Sequence, residues 1–339
     1  MRWRRAAAGL TLAIALVGLL VYGVGWEAVL EHVGRADPLA LMGAAVTGLG
    51  ILLFRGLIVE RLLKPIQGSA RGSTFATAFL AGYFARSALP WGRSTGTPIT
   101  AYLLAANSDS EFEDNLAVVA TAELFGFAAS LVIALVGLTA YVIGGSNAPQ
   151  GLLASGALVG TGGLLVAGTV VLTVDRGWAR PLLFDFALTC ETAAGKLPRV
   201  NGIDGVLTRR LERLFSALER IGAARRTLVI AFGAALAGWV INALPLYFSL
   251  LALGVSAPLS IALLCAPLAS FGGVLPLPGG TGGIEVVLAS LLVATVGLTG
   301  DVATAAALLY RLTTYWLHLA ISGAGAVYLS VSGRRVVSV

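Results

Sequence analysis

The chain has 339 residues, of which 57% are hydrophobic and 12% charged, and its mean hydropathy is +0.89. Soluble domains carry about 25% charged residues, so this composition excludes an ordinary soluble enzyme and describes a polytopic membrane protein. The net charge of +6 does not point to nucleic acid, because the basic residues stand at the chain ends and between apolar runs, where membrane orientation and lipid headgroups account for them.

Residues 6–24 form an apolar run behind Arg2, Arg4 and Arg5. The run is longer than a signal-peptide core and lacks a good cleavage site, so it reads as a retained first span with a cytoplasmic N-terminus. Residues 39–59 form the second span, closed by Glu60, Arg61, Lys64 and Arg71. Arg55 sits about a turn from that end and is read as snorkelling to the surface. Residues 75–89 are apolar but fall short of the roughly 20 residues a crossing needs. They are broken by Pro90-Trp-Gly-Arg-Ser-Thr-Gly-Thr-Pro98, and an acidic stretch follows at 107–114. Residues 116–143 are a full span carrying Glu123, and 151–174 another.

Residues 175–226 are the longest polar region, with ten Lys and Arg. Leu207, Leu211, Leu214, Leu218 and Ile221 recur at helical spacing among arginines, which predicts an amphipathic helix on the inner membrane surface. Residues 227–253 are a span interrupted by Pro245. Two apolar runs, 258–275 and 284–298, then flank Pro276-Leu-Pro-Gly-Gly-Thr-Gly-Gly-Ile-Glu285. Two prolines and four glycines in that stretch cannot continue a helix. Residues 302–330 are the last span.

Orientation tests the broken segments. If the N-terminus, 61–71, 175–226 and Arg334-Arg335 all face the cytoplasm, residues 75–106 must enter and leave on one side. Residues 258–298 then do the same from the other side. The expected fold is an all-α polytopic membrane protein with about six transmembrane helices plus two re-entrant helical hairpins in an inverted repeat. One integral membrane domain spans 1–339. It divides into a first span and loop (1–38), a first repeat half (39–174), a cytoplasmic amphipathic linker (175–226) and a second half (227–339). Matched interruptions in two halves point to a transport site near the midplane.

The embedded ionisable residues are Arg86, Arg93, Glu123, Glu285 and Arg311. Arg311 lies about ten residues into its span, roughly 15 Å deep. Such groups are costly and face a cavity or each other. The acids can neutralise arginines and pin helices. Arg93 and Arg311 suit a phosphate, which guanidinium binds bidentately, and half-helix N-termini with glycine-exposed amides also attract anions. Gly92, Gly96, Gly279, Gly280, Gly282 and Gly283 shape the turns, and Thr95 and Thr281 can add hydroxyl donors. Tyr310 and Tyr315 flank Arg311 and are read chiefly as packing, and His318 as a packed neutral side chain. Cys190 and Cys265 form no disulfide framework, and His32 and His318 have no companions at metal-ligand spacing, so neither metal nor cofactor is expected. No P-loop is present.

Taken together, Pro90-Trp-Gly-Arg93 with Gly96, Ala122-Glu-Leu-Phe125, the 276–285 stretch, and Ala305 with Tyr310-Arg311 and Tyr315 resemble the lysylphosphatidylglycerol synthase transmembrane-region family. The resemblance covers nearly the whole chain, although Thr97-Pro98 follows Gly96 where many members carry a glutamate. It implies a flippase-like integral membrane protein, without the soluble aminoacyltransferase domain that some members carry. The expectation is a flippase or transporter in the plasma membrane for an anionic phospholipid or polyprenyl-phosphate type lipid, with a lipid-modifying enzyme as a possible partner. An intramembrane transferase and a scaffold for such an enzyme are the alternatives.

Overall fold

The computed structural model of the protein describes residues 26–89, 92–144, 163, 179–195, 205–274 and 277–332, apart from some side chains, that of Arg93 among them. The expected span at 6–24, that at 151–174 apart from residue 163, and Arg334 and Arg335 lie outside the described residues. Within them the protein is helical throughout, with no strand. The helices are α1 (Trp26–Gly34), α2 (Pro38–Leu62), α3 (Gly72–Ala88), α4 (Gly92–Ala106), α5 (Phe112–Ile143) and α6 (Ala179–Gly195). They continue with α7 (Val206–Ala223), α8 (Arg225–Ala252), α9 (Leu259–Ala269), α10 (Gly283–Val296), α11 (Gly300–Arg311) and α12 (Leu317–Val331). Among the described residues four segments are long and apolar enough to cross a membrane: Pro38–Leu62, Phe112–Ile143, Arg225–Ala252 and Pro278–Val296.

Local chemistry sets the helix starts. Asp37 caps α2 by accepting from the Leu39 and Ala40 amides at 3.1 and 3.2 Å, and Pro38 occupies the first helical position. Gly297, at φ +73°, ends α10 in the left-handed conformation. The helix α8 runs unbroken through Pro245, contrary to the interruption expected there. The break expected over residues 90–98 is also shorter, because helix resumes at Gly92 and continues past Pro98. Conversely, the last span is not uniform: a π-helical turn at Leu312–Trp316 separates α11 from α12.

The core is built by crossing the two halves of the chain. Helix α2 packs along α8, brought close by glycines: Gly43 faces Phe248, Gly50 faces Ile241, and Gly238 faces Phe54. The α3–α4 pair packs on α12, where Gly323 and Gly325 meet Phe84 and Leu80. Reciprocally, α9 packs on α5, where a side chain at Gly137 would lie 2.5 Å from the Leu264 nitrogen.

Two sets of polar contacts mark opposite ends of the bundle. At one end the Asp109 amide donates to the Gly68 carbonyl at 3.0 Å, joining the loop before α3 to the loop after α4. The same end holds α7, whose Arg210, Arg213 and Arg220 pair with Glu113, Glu111 and Asp114. The expected amphipathic helix is thus present and packs on the protein itself. Phe215, Ala217 and Ile221 on its apolar face are buried in the protein core, and its arginines neutralise the acidic start of α5. Glu191 of α6 accepts from the Thr208 and Leu207 amides at the start of α7, and these bonds, the Thr208 amide's foremost, hold its pKa low. At the other end the Asp37 amide donates to the Ala252 carbonyl at 2.8 Å, and His32 of α1 pairs with Asp301 of α11 at 2.9 Å.

Candidate functional site

Both Pro/Gly interruptions arrive at one cavity of about 710 Å³. Its wall takes Arg86, Ser87 and Gly92 from the first interruption, and Leu277, Gly279 and Gly280 from the second. The Tyr315 hydroxyl donates to the Ser87 carbonyl at 3.2 Å, and its ring lies beneath the Arg311 guanidinium, 4.4 Å from Cζ to the centroid. A Cβ at Gly279 would lie 2.0 Å from the Tyr315 ring. With φ +58° at Gly279 and +68° at Gly280, the backbone takes a shape that other residues resist.

The second interruption is held by a buried clamp. Glu285 stands in the first turn of α10, where one carboxylate oxygen accepts from the Gly282 amide at 2.8 Å and the other from Arg311 Nε at 2.9 Å. Arg311 also donates through Nη2 to the Gly279 carbonyl at 2.9 Å. The Arg311 and Glu285 side chains are 7% and 2% exposed. A carboxylate at a helix N-terminus is favoured by the helix dipole and the free amides, so the anion-attracting end of α10 is served by the protein's own Glu285.

A second clamp holds the first interruption: Arg86, in the last turn of α3, is hydrogen-bonded to Glu123 of α5. Glu123 and Arg311 both line the cavity, and so does Tyr310, whose hydroxyl donates to Asn242 at 2.8 Å.

The remaining expected residues are spread more widely. Thr95 is exposed on α4. Gly96 is a close-approach site, since a Cβ there would lie 2.5 Å from Arg86 Cβ. Thr281 is buried and gives its hydroxyl to the Pro278 carbonyl at 2.7 Å, so it closes a turn and donates nothing to the cavity. Gly282 and Gly283 sit behind the wall at the start of α10. His318 is buried between the Gly48 carbonyl, 2.7 Å from Nε2, and the Tyr83 hydroxyl, 3.3 Å from Nδ1. Among the described residues no three His, Cys, Asp or Glu stand together as metal ligands.

Sequence reasoning missed much of the wall, including Arg55, Tyr83, Trp239 and Asn242. Arg55 is the notable one, because it faces the cavity beside Tyr83, 5.8 Å from the ring centroid, rather than reaching along its helix to the surface.

The sequence model described as Lysylphosphatidylglycerol synthase TM region matches residues 6–322. The chain belongs to this family. Like the family at large, this lysylphosphatidylglycerol synthase TM-region protein is a multi-pass integral membrane protein. It is 22% identical over 343 residues to a protein named UPF0104 membrane protein from Methanothermobacter thermautotrophicus, covering 95% of each chain. A second protein of that name and organism is 32% identical over 141 residues, 40% of this chain and 41% of that one.

Proposed function

We propose that this protein is a lipid flippase, moving an anionic phospholipid or polyprenyl-phosphate type lipid across the plasma membrane by alternating access. The observation that carries the reading is the cavity itself. It is large enough for a headgroup, sits between apolar helices, and is walled by polar side chains and two broken helices, the arrangement found at transporter binding sites. The lipid's chains would stay in the bilayer while the headgroup crosses. The protein performs no chemistry on it in this reading.

The α3–α4 and α9–α10 pairs act as re-entrant hairpins of an inverted repeat, with both termini cytoplasmic. Support comes from the loop-to-loop contact of Asp109 with Gly68 at one end, and from the contacts of Asp37 with Ala252 and His32 with Asp301 at the other. Each clamp joins residues of one half, Arg86 to Glu123 and Glu285 to Arg311. Contacts between halves are glycine-mediated packing and neutral hydrogen bonds, such as Trp239 Nε1 to the Gly126 carbonyl at 2.6 Å.

The test is a proteoliposome assay that follows a fluorescent phosphatidylglycerol from the inner to the outer leaflet, with a phosphatidylcholine control. Protein-dependent movement of the anionic lipid is expected. Movement no faster than in empty liposomes refutes the reading, and a covalently altered headgroup in the extracted lipid would replace it with a transferase.

A further inference from the structure

Among the described residues three arginines stand at the cavity wall, and two of them are already matched. Arg86 pairs with Glu123, and Arg311 with Glu285. The third, Arg55 on α2, faces the cavity with the ring of Tyr83 against its guanidinium. Among the described residues no carboxylate pairs with Arg55 and no hydrogen bond holds it. Its position seven residues before Leu62 is roughly 10 Å from the helix end. A snorkelling side chain would point its head along that distance. Instead the head rests over an aromatic wall inside the protein, the place where an arginine is steadied by the ring quadrupole and keeps all its N–H groups available.

We propose that Arg55 is the residue that grips the transported headgroup, through a phosphate oxyanion. The ligand class rests on the flippase reading above; the assignment of Arg55 rests on the pairing pattern. A guanidinium presents two parallel N–H groups to phosphate oxygens. Arg311 is poorly placed for this, since Nε and Nη2 are committed to Glu285 and Gly279. Arg55 has no such commitments. The three described wall arginines, set against their two glutamate partners, Glu123 on the wall and Glu285 behind it, leave one surplus positive charge. A headgroup of net charge minus one balances that surplus, whereas a zwitterionic headgroup brings its own cation into a site that is already positive. Arg55 therefore sets selectivity as well as affinity.

The experiment uses the purified full chain in uncharged detergent. Tryptophan fluorescence, to which Trp239 on the cavity wall contributes, follows titration with short-chain phosphatidylglycerol, short-chain phosphatidylcholine and inorganic phosphate. The wild type is expected to bind phosphatidylglycerol more tightly than phosphatidylcholine. Arg55→Gln is expected to weaken phosphatidylglycerol binding about ten- to hundredfold, the loss typical of a charge-assisted hydrogen bond. Its thermal midpoint should be unchanged, because no ion pair is broken. Arg55→Lys, which keeps the charge and loses the fork, should fall between, and it carries the test if the glutamine variant does not fold. Wild-type binding with unchanged affinity in both variants overturns the Arg55 assignment alone. No binding of any probe by the wild type overturns the flippase reading together with it. Binding of inorganic phosphate but not phosphatidylglycerol, weakened by Arg55→Gln, supports the phosphate site and overturns the lipid as its source.

Discussion

The Glu285–Arg311 clamp allows a quantitative test, because each of its contacts is identified. Replacing Arg311 by glutamine removes the partner of a carboxylate that is 2% exposed. It also removes a hydrogen bond to the Gly279 carbonyl and a cation–π contact with Tyr315. Breaking a buried pair from one side costs about 3–5 kcal/mol. Glu285 keeps the Gly282 amide and the α10 dipole, which together offset about 1 kcal/mol, a quarter of the middle of that range, if each is taken at about 0.5 kcal/mol. The expected loss for Arg311→Gln is therefore about 3 kcal/mol, more than a hundredfold in the folding equilibrium. Removing both charges at once, in Glu285→Gln with Arg311→Gln, leaves no orphaned carboxylate and should recover about 2 kcal/mol of it. Reversible unfolding in mixed micelles, followed by tryptophan fluorescence, measures both. A single variant within about 1 kcal/mol of wild type, or a double variant no more stable than the single, refutes the clamp.

Three further outcomes are expected. Gly279→Ala should lower the thermal midpoint clearly, through the left-handed backbone and the Tyr315 ring, while Gly126→Ala, with open space around it, should not; equal effects would reduce the glycine stretch to ordinary helix packing. With Cys190 and Cys265 replaced, single cysteines at Gln67, Asp109 and Ser216 should respond alike to a membrane-impermeant thiol reagent in intact cells, and opposite to cysteines at Gly34 and Ser256; labelling of all five in common would sink the two-ended arrangement. Hydrogen bonds from Thr299 first and His32 next lower the Asp301 pKa to about 2, below its unfolded value near 4. Its contribution to stability is thus fully present above that value and lost as pH falls from about 4 toward 2, so acid unfolding curves of wild type and Asp301→Asn should converge there, and parallel curves would exclude the contact.

Much of the architecture was legible because membrane insertion constrains length. Apolar runs of 20 or so residues mark crossings, and this served for α2, α5 and α8, including α5, whose first turn carries Glu113 and Asp114 out to the arginines of α7. Both interruptions were legible as positions, and the structure brings them to one cavity. Their interior was less so, because a glycine written in sequence does not say whether it serves a turn or a close approach. Gly279 does both, with positive φ and Tyr315 against it, while Gly96 sits inside a helix and only makes room for Arg86. Proline was similarly ambiguous: Pro245 costs α8 one backbone bond and no continuity.

Charge was the least legible, and for a physical reason. A sequence shows which ionisable residues are deep but not which two of them meet. Glu285 illustrates this. From its place at the start of a half-helix it reads equally as a substrate contact or a counter-ion, and only its simultaneous bonds to Gly282 and Arg311 show it holding a helix start and a cation at once. Arg55 was misjudged in the opposite direction. Depth was counted from the end of its helix, yet α2 is apolar all round, so nothing in the sequence distinguishes its inward face. Depth along a helix says whether a charge can reach water. Rotation about the helix says whether it needs to, and here rotation puts Arg55 on the wall of a polar cavity, where the long reach to the surface is unnecessary.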